Sequence, residues 1–202
     1  YFGVKGRIVR LREEFAEALR RAQGKRPENL PSESMTQCKT CGTYIATGDP
    51  VVLLGDSGTG KSHLLIGLGM AACEQGRRVR YVTAAQLANE LAEAADDRRL
   101  SRLVARYGRI DLLLIDEVGY VQLDARGAEL VFQILTEREE KSSIALASNL
   151  PFSEWGQIIA DPRLVAAIVD RVTFNAHIIE TGTDSYRLRT SRRTATTRGQ
   201  NK

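Results

Sequence analysis

Apolar positions along the chain follow two different periods. Near the start, Ile8, Leu11, Phe15, Leu19 and Ala22 recur at helical spacing with Arg and Glu between them, which predicts an amphipathic helix over residues 7–23. Gly24, Pro27 and Pro31 break that pattern, and a polar linker is expected up to about Thr43. Beyond it, short apolar runs at 51–54, 79–82, 110–115, 144–147 and 177–180 alternate with helix-spaced stretches. Apolar runs of that length separated by helical crossovers read as strands buried on both faces, so the expectation is an α/β domain on a mostly parallel sheet. The Arg- and Thr-rich tail after Leu188 has no such pattern and reads as disordered.

The turn after the first of these strands carries the strongest chemical signal. Gly55, Asp56, Ser57, Gly58, Thr59, Gly60, Lys61 and Ser62 form a complete G-x-x-x-x-G-K-S sequence, with Leu64, Leu65, Leu68 and Ala72 following at helical spacing. The glycines let the backbone close around phosphates with its amides pointing inward, and the start of the next helix adds partial positive charge. Lys61 is then placed for the β- and γ-phosphates, and the Ser62 hydroxyl for Mg²⁺. The nucleotide-binding segment is taken to extend through His63, whose ring is expected to pack rather than to catalyse. ATP and Mg²⁺ are the expected cofactors; a glycine-rich turn without a ligand is the plain alternative.

Hydrolysis also needs an acid near the metal and a group that orients water. The run Asp111-Leu112-Leu113-Leu114-Ile115-Asp116-Glu117 describes a buried strand whose acidic end opens where ligands bind in open α/β sheets. Asp116 is expected to complete the metal shell, and Glu117, one position on, to polarise the attacking water. An acidic pair that only caps a helix or ends a solvated turn is the alternative. The next strand ends in Ser148-Asn149, and an amide at the tip of a strand between those two can touch both the γ-phosphate and the water. That is the sensor-1 position of AAA+ ATPases. Asn149 is the candidate, against a simple turn residue before Pro151.

Composition changes this picture mainly through charge. Apolar and charged shares of 43% and 27% suit a globular core, and 202 residues suit one domain. The net charge of +4 is unevenly spread: residues 1–30 hold eight Lys/Arg against four acids, residues 185–202 six against none, and the stretch between them fifteen against twenty-one. Basic ends suit phosphate backbones, with solvated tails as the other reading. No apolar run reaches membrane-spanning length and no secretory signal opens the chain, so a cytoplasmic protein without membrane contact is expected. A start at Tyr1 rather than Met points to a fragment or a processed form. Cys38, Cys41 and Cys73 are too few for a disulfide framework. Cys38 and Cys41 have half the spacing of a zinc knuckle, but Cys73, His63 and His177 fall in elements with other tasks, which leaves coincidental thiols.

Taken together, residues 55–64, 113–120, 147–155 and 161–188 resemble the IstB-like ATP-binding proteins, transposition helpers of insertion sequences related to DnaC-type helicase loaders. The likeness is carried by Asp116-Glu117-Val118-Gly119-Tyr120, by Ser148-Asn149-Leu150-Pro151-Phe152-Ser153-Glu154-Trp155 and by Ser185-Tyr186-Arg187-Leu188. The expected architecture is an AAA+ P-loop domain with five strands in the order 5-1-4-3-2, counted from 51–54, and helices on both faces. The resemblance implies ATP hydrolysis coupled to assembly of a homo-oligomer on duplex DNA, and stimulation of a partner transposase. Asp170-Arg171-Val172 matches the stretch from which, in the family, an arginine reaches the nucleotide of a neighbouring subunit. Arg171 is therefore the expected finger and Arg163 the second choice, with an ion pair from Arg171 to Asp170 or Glu180 as the structural alternative. Arg187 matches the family without an assigned role. The parts are a basic helix and linker over 1–43, the ATPase domain over 44–189 and a basic tail over 190–202. The region before Thr43 departs from the family's helical N-terminal region, which reads as truncation, and the stretch after Leu188 leaves no room for a helical lid. A helicase loader would share every catalytic residue; a small-molecule kinase would need an acceptor pocket and an arginine-rich lid that the sequence does not offer.

Overall fold

The computed structural model describes residues 35–37, 44–46, 49–139, 141–183 and 185–186. The expected helix over 7–23, Cys38, Cys41, Arg187 and the basic tail lie outside the described residues. β1 (Met35–Gln37), in the segment expected to be linker, pairs antiparallel with β2 (Tyr44–Ala46), at the expected start of the ATPase domain.

The main sheet follows from strands that are apolar on both sides. It consists of β3 (Val51–Leu54), β4 (Val79–Thr83), β5 (Leu112–Val118), β6 (Ser143–Ser148) and β7 (His177–Glu180). All pairings are parallel in the order β4-β5-β6-β3-β7, which is the expected 5-1-4-3-2 read from the other edge. Alternate residues feed two separate cores. Val51, Leu53, Leu112, Leu114, Ala145 and Ala147 face α1 (Lys61–Glu74), while Val52, Leu113, Ile115 and Leu146 face the other layer. That layer is α2 (Ala84–Asp96), α3 (Leu100–Gly108), α4 (Ala125–Arg138) and α5 (Pro162–Thr173). Burying each large aliphatic side chain contributes about 1.5–3 kcal/mol, which offsets the entropy of ordering the crossovers.

Small residues set the distance of α1 from the sheet. A Cβ on Gly69 would stand 2.6 Å from Leu114 Cδ1, so the helix lies closer than any side chain there allows. This draws the first turn of α1, with Lys61 and Ser62, down onto the strand ends. On the other face the helices start at fixed places. Thr83 and Gln86 form a capping box at α2, the Asp124 carboxylate accepts from Gly127 N–H at α4, and Asp161 with Pro162 opens α5.

The strand expected from 110 begins only at Leu112, because the preceding pair closes a turn. The Asp111 carboxylate accepts the Arg78 backbone N–H at 2.7 Å and its guanidinium at 3.0 and 3.1 Å, which holds its carboxyl down at about 2. Nearby Arg138, 1% exposed, donates to the carbonyls of Tyr107, Ile110 and Ser143 at 2.5, 2.8 and 2.7 Å. It ties the end of α3 to the starts of β5 and β6. Among the described residues no helix is long and apolar enough to cross a membrane.

Candidate active site

The carboxyl ends of β3, β5 and β6 meet under the loop 55–60, and the lysine of the glycine-rich motif is held there by backbone carbonyls. Gly55, Gly58 and Gly60 have φ of 148°, 85° and 103°, the left-handed side that glycine tolerates. Lys61, 7% exposed, donates from Nζ to the carbonyls of Gly55 and Asp56 at 2.5 and 2.7 Å. Withdrawal from water pulls its pKa down, and the Asp116 and Asp56 carboxylates pull it back up. An ammonium already stripped of water and fixed over the loop meets phosphate oxygens with little further cost. Ser62 is half-buried in the same first turn; His63, expected to pack, is exposed on the outer side of α1.

Asp116 continues the face of Leu112 and Leu114, and so stands beneath the start of α1 with 3% exposure. Its two oxygens are fixed from different sides: Oδ1 accepts the Glu117 backbone N–H at 2.8 Å and Oδ2 accepts the Tyr81 hydroxyl at 2.6 Å. The partner is diagonal, since Thr83 pairs with Asp116 and Tyr81 lies two residues earlier on the same face of β4. Burial pushes the Tyr81 phenol up, and the hydrogen bond to Asp116 and the charges of Asp116 and Glu117 push it further. It stays a neutral donor. Beyond Asp116 the strand bulges: Ile115 pairs with Leu146 but Val118 with Ser148, so one extra residue is accommodated. Glu117 takes φ 60°, an uncommon conformation for a side-chain-bearing residue, and its carboxylate is exposed at the site.

Asn149 sits at the tip of β6, where Gly55 N–H donates to the Ser148 carbonyl at 3.3 Å. Its own N–H donates to Val118 at 3.3 Å, and the Ser148 hydroxyl bonds Leu150 N–H and C=O at 3.1 and 2.8 Å to fix the turn. Asn149 Oδ1 is buried and has no hydrogen bond among the described residues. A Cβ on Gly119, φ 107°, would come within 2.5 Å of that oxygen. Glycine is thus required for the chain after β5 to pass the amide.

Two contacts were not foreseen. Tyr120 reaches back from that chain and donates its hydroxyl to Ser57 Oγ at 3.0 Å. Residues 181–183 and 185–186, after β7, lie along the other side of the loop. Thr181 N–H donates to Leu54, Asp56 N–H to Gly182 and Tyr186 N–H to Gly58, at 2.7, 3.1 and 3.0 Å, and the hydroxyls of Thr59 and Thr181 are 2.6 Å apart. A Cβ on Gly55 or Gly58 would stand 2.4 Å from Thr181 Oγ1 or Ser185 Oγ, respectively. The Ser185-Tyr186 pair of the family likeness was the available signal.

Arg171 lies elsewhere. It borders a hollow with Asp49 and Pro50, where β3 begins, whereas the phosphate loop follows the end of β3. Its Nε donates to Glu139 at 3.0 Å and its guanidinium stacks 4.4 Å from the Phe132 ring centre, so the pairing with Asp170 or Glu180 is replaced by Glu139. Arg163 is exposed at the opposite end of α5. The structure therefore brings Lys61, Ser62, Asp116, Glu117 and Asn149 to the strand ends and places neither arginine in the loop 55–60.

A family model described as IstB-like ATP binding protein matches residues 20–194. The chain belongs to this family. An insertion sequence IS5376 ATP-binding protein of Geobacillus stearothermophilus is 36% identical over 150 residues, covering 74% of this chain and 60% of that protein. The insertion sequence IS21 ATP-binding protein of Pseudomonas aeruginosa is 35% identical over 150 residues, with shares of 74% and 57%. The chain thus spans less than two thirds of the length of these relatives. Among solved structures, AMPPCP-bound DnaA from Aquifex aeolicus superposes with a TM-score of 0.58 at 28% identity, over 67% of this chain and 41% of that one. DnaI gives 0.60 at 19% identity over 81% and 82%, a likeness of fold alone. An AAA+ P-loop core of the IstB-like ATP-binding family is established on these grounds.

Proposed function

We propose that this IstB-like chain hydrolyses ATP as an oligomer assembled on duplex DNA and thereby stimulates a transposase. The observation that carries the reading is the bulge after Asp116, which leaves Glu117 exposed at φ 60° one residue before Val118, whose carbonyl accepts the Asn149 N–H. Water, rather than a substrate hydroxyl, is the acceptor such a carboxylate and amide are suited to. Ser62 and Asp116 fit Mg²⁺, because a small hard cation takes one carboxylate and one hydroxyl and completes its shell from phosphates and water. The ion would neutralise charge between the β- and γ-phosphates. Lys61 holds the same oxygens, Glu117 orients the attacking water and draws its proton density, and the Asn149 amide bridges water and γ-phosphate. Arg171, distant from its own loop, reaches the neighbour's γ-phosphate, which makes turnover depend on assembly.

The test is Glu117→Gln. Binding of ATP with Mg²⁺ is expected to persist while turnover falls by roughly a hundredfold or more, the range for loss of a general base. Unchanged turnover would move the base elsewhere. Copurification of the ATP-locked variant with a transposase, and not with a helicase, supports the assignment of partner.

A further inference from the structure

Five arginines outside the nucleotide site surround one cavity. It measures about 660 Å³ between β4, α2 and α3, and Arg80, Arg99, Arg102, Arg106 and Arg109 line it against two acids, Glu90 and Glu93. Both acidic oxygens of Glu90 are engaged, one by Arg80 at 2.6 Å and the other by the Tyr107 hydroxyl at 2.7 Å. Arg99 pairs with Asp97, and Arg109 Nε bonds the Ala105 carbonyl at 3.2 Å. Arg102 and Arg106 stand one turn apart on α3, both exposed, and their side chains make no hydrogen bond or ion pair among the described residues. With Asp97 counted beside its partner Arg99, an excess of two positive charges converges here, in a stretch of chain that is acidic in sum. Like charges facing one hollow repel, and an anion is what relieves them.

The lining narrows the class of anion. All the cations are arginines, whose planar forks grip phosphate in pairs, and none is a lysine. The remaining wall is Ala94 and Leu103, with no aromatic ring to stack an unpaired base. Backbone phosphates are the match, and bases are not. We infer that this arginine hollow is the main duplex-DNA contact of the domain, gripping successive backbone phosphates without reading sequence. This rests on the proposed DNA function and relocates the contact from the basic ends of the chain to its centre.

The experiment compares the full chain with Arg102→Ala/Arg106→Ala and Arg102→Glu/Arg106→Glu on a duplex of mixed sequence, across a salt series and with ATP analogue present. The alanine pair should lose about tenfold in affinity near physiological salt and flatten the slope of log K against log salt by about 2, since each phosphate contact contributes about 0.9. The glutamate pair should bind more weakly still, and ATP affinity should be unchanged in both. Equal affinity and equal slope in all three proteins would overturn the site while leaving DNA binding intact. Absence of duplex binding by the unaltered chain would overturn the proposed function and this inference together. A third arm uses polyglutamate: if it, and not duplex, protects Arg102 and Arg106 from phenylglyoxal, the occupant is an acidic protein and the inference fails.

Discussion

At the edge of the sheet where the strands begin, most charged groups have partners, although Arg138 Nε and His177 Nε2 are buried without a hydrogen bond among the described residues. Arg138 gives three hydrogen bonds to carbonyls, Asp111 takes three from Arg78, and Arg171 has both Glu139 and the Phe132 ring. At the edge where they end, Lys61 is desolvated over backbone carbonyls, Asn149 Oδ1 is buried without a partner, and Glu117 is held at φ 60°. The first edge fixes where the elements start. The second brings a desolvated ammonium, a carboxylate-bearing residue at positive φ and an unpaired amide oxygen to the ends of neighbouring strands, and a nucleotide with its water would satisfy them. Substitutions at the two edges should therefore separate: those at the strand ends alter ligand response, and those at the strand starts alter stability or assembly.

The strongest break is Lys61→Ala. The only cation anchored inside the loop disappears, and charge-assisted bonds of about 1.5–3 kcal/mol each are lost to the triphosphate. ATP binding measured by titration calorimetry should vanish in the accessible concentration range. Normal affinity would remove the loop from the site.

Arg171→Ala tests whether the stabilised edge has a second use across a subunit boundary. Alone it should bind ATP and lose about a thousandfold in turnover, the usual scale for an arginine finger. Mixed with Lys61→Ala, whose own site is empty but whose Arg171 is intact, it should recover activity well above either protein. If mixed oligomers form and stay inactive, Arg171 acts within its subunit through Glu139, and Arg163 becomes the next variant to mix.

Arg138→Met should act only on the scaffold. Three buried carbonyls lose their donor, at a cost of roughly 3 kcal/mol or more. The urea midpoint should drop accordingly while ATP affinity of the folded fraction stays constant. Loss of affinity with an unchanged midpoint would contradict the division between the edges.

How much of this was legible depends on whether a feature is local. β3 and β7 match the apolar runs 51–54 and 177–180, and the strand order matches as well. The placement of Lys61, Ser62, Asp116 and Glu117 at the strand ends was readable because strand, loop and acidic strand end are contiguous signals. The β5 bounds were not, since Asp111 answers to Arg78, 33 residues away. Tyr81, Thr181 and Gly182 become visible only once the parallel register puts Tyr81 diagonal to Asp116 and Thr181 beside Gly55. Charge summed along the sequence hid the arginine hollow, because Arg80 and Arg109 converge in space across α2 and α3.

Tyr81→Phe carries the smallest expected effect and cuts finest at the strand-end edge. The substitution removes one oxygen from a residue that is itself 42% exposed, so the core loses nothing. Asp116 keeps the bond from Glu117 N–H on Oδ1 but loses the 2.6 Å bond on Oδ2, and its carboxylate is free to turn about χ2. A ligand that must be re-oriented binds a demanding octahedral cation less well. The Mg²⁺ concentration for half-maximal turnover should rise several-fold, with kcat at saturating Mg²⁺ nearly unchanged and ATP affinity in EDTA unaltered. A purely structural role would instead lower the melting temperature and leave the Mg²⁺ dependence where it was. A half-saturating concentration that falls would mean that the phenol competes with the metal for Oδ2 rather than aiming it. Tyr81 would then be a brake on the site, relieved when Mg²⁺-ATP arrives.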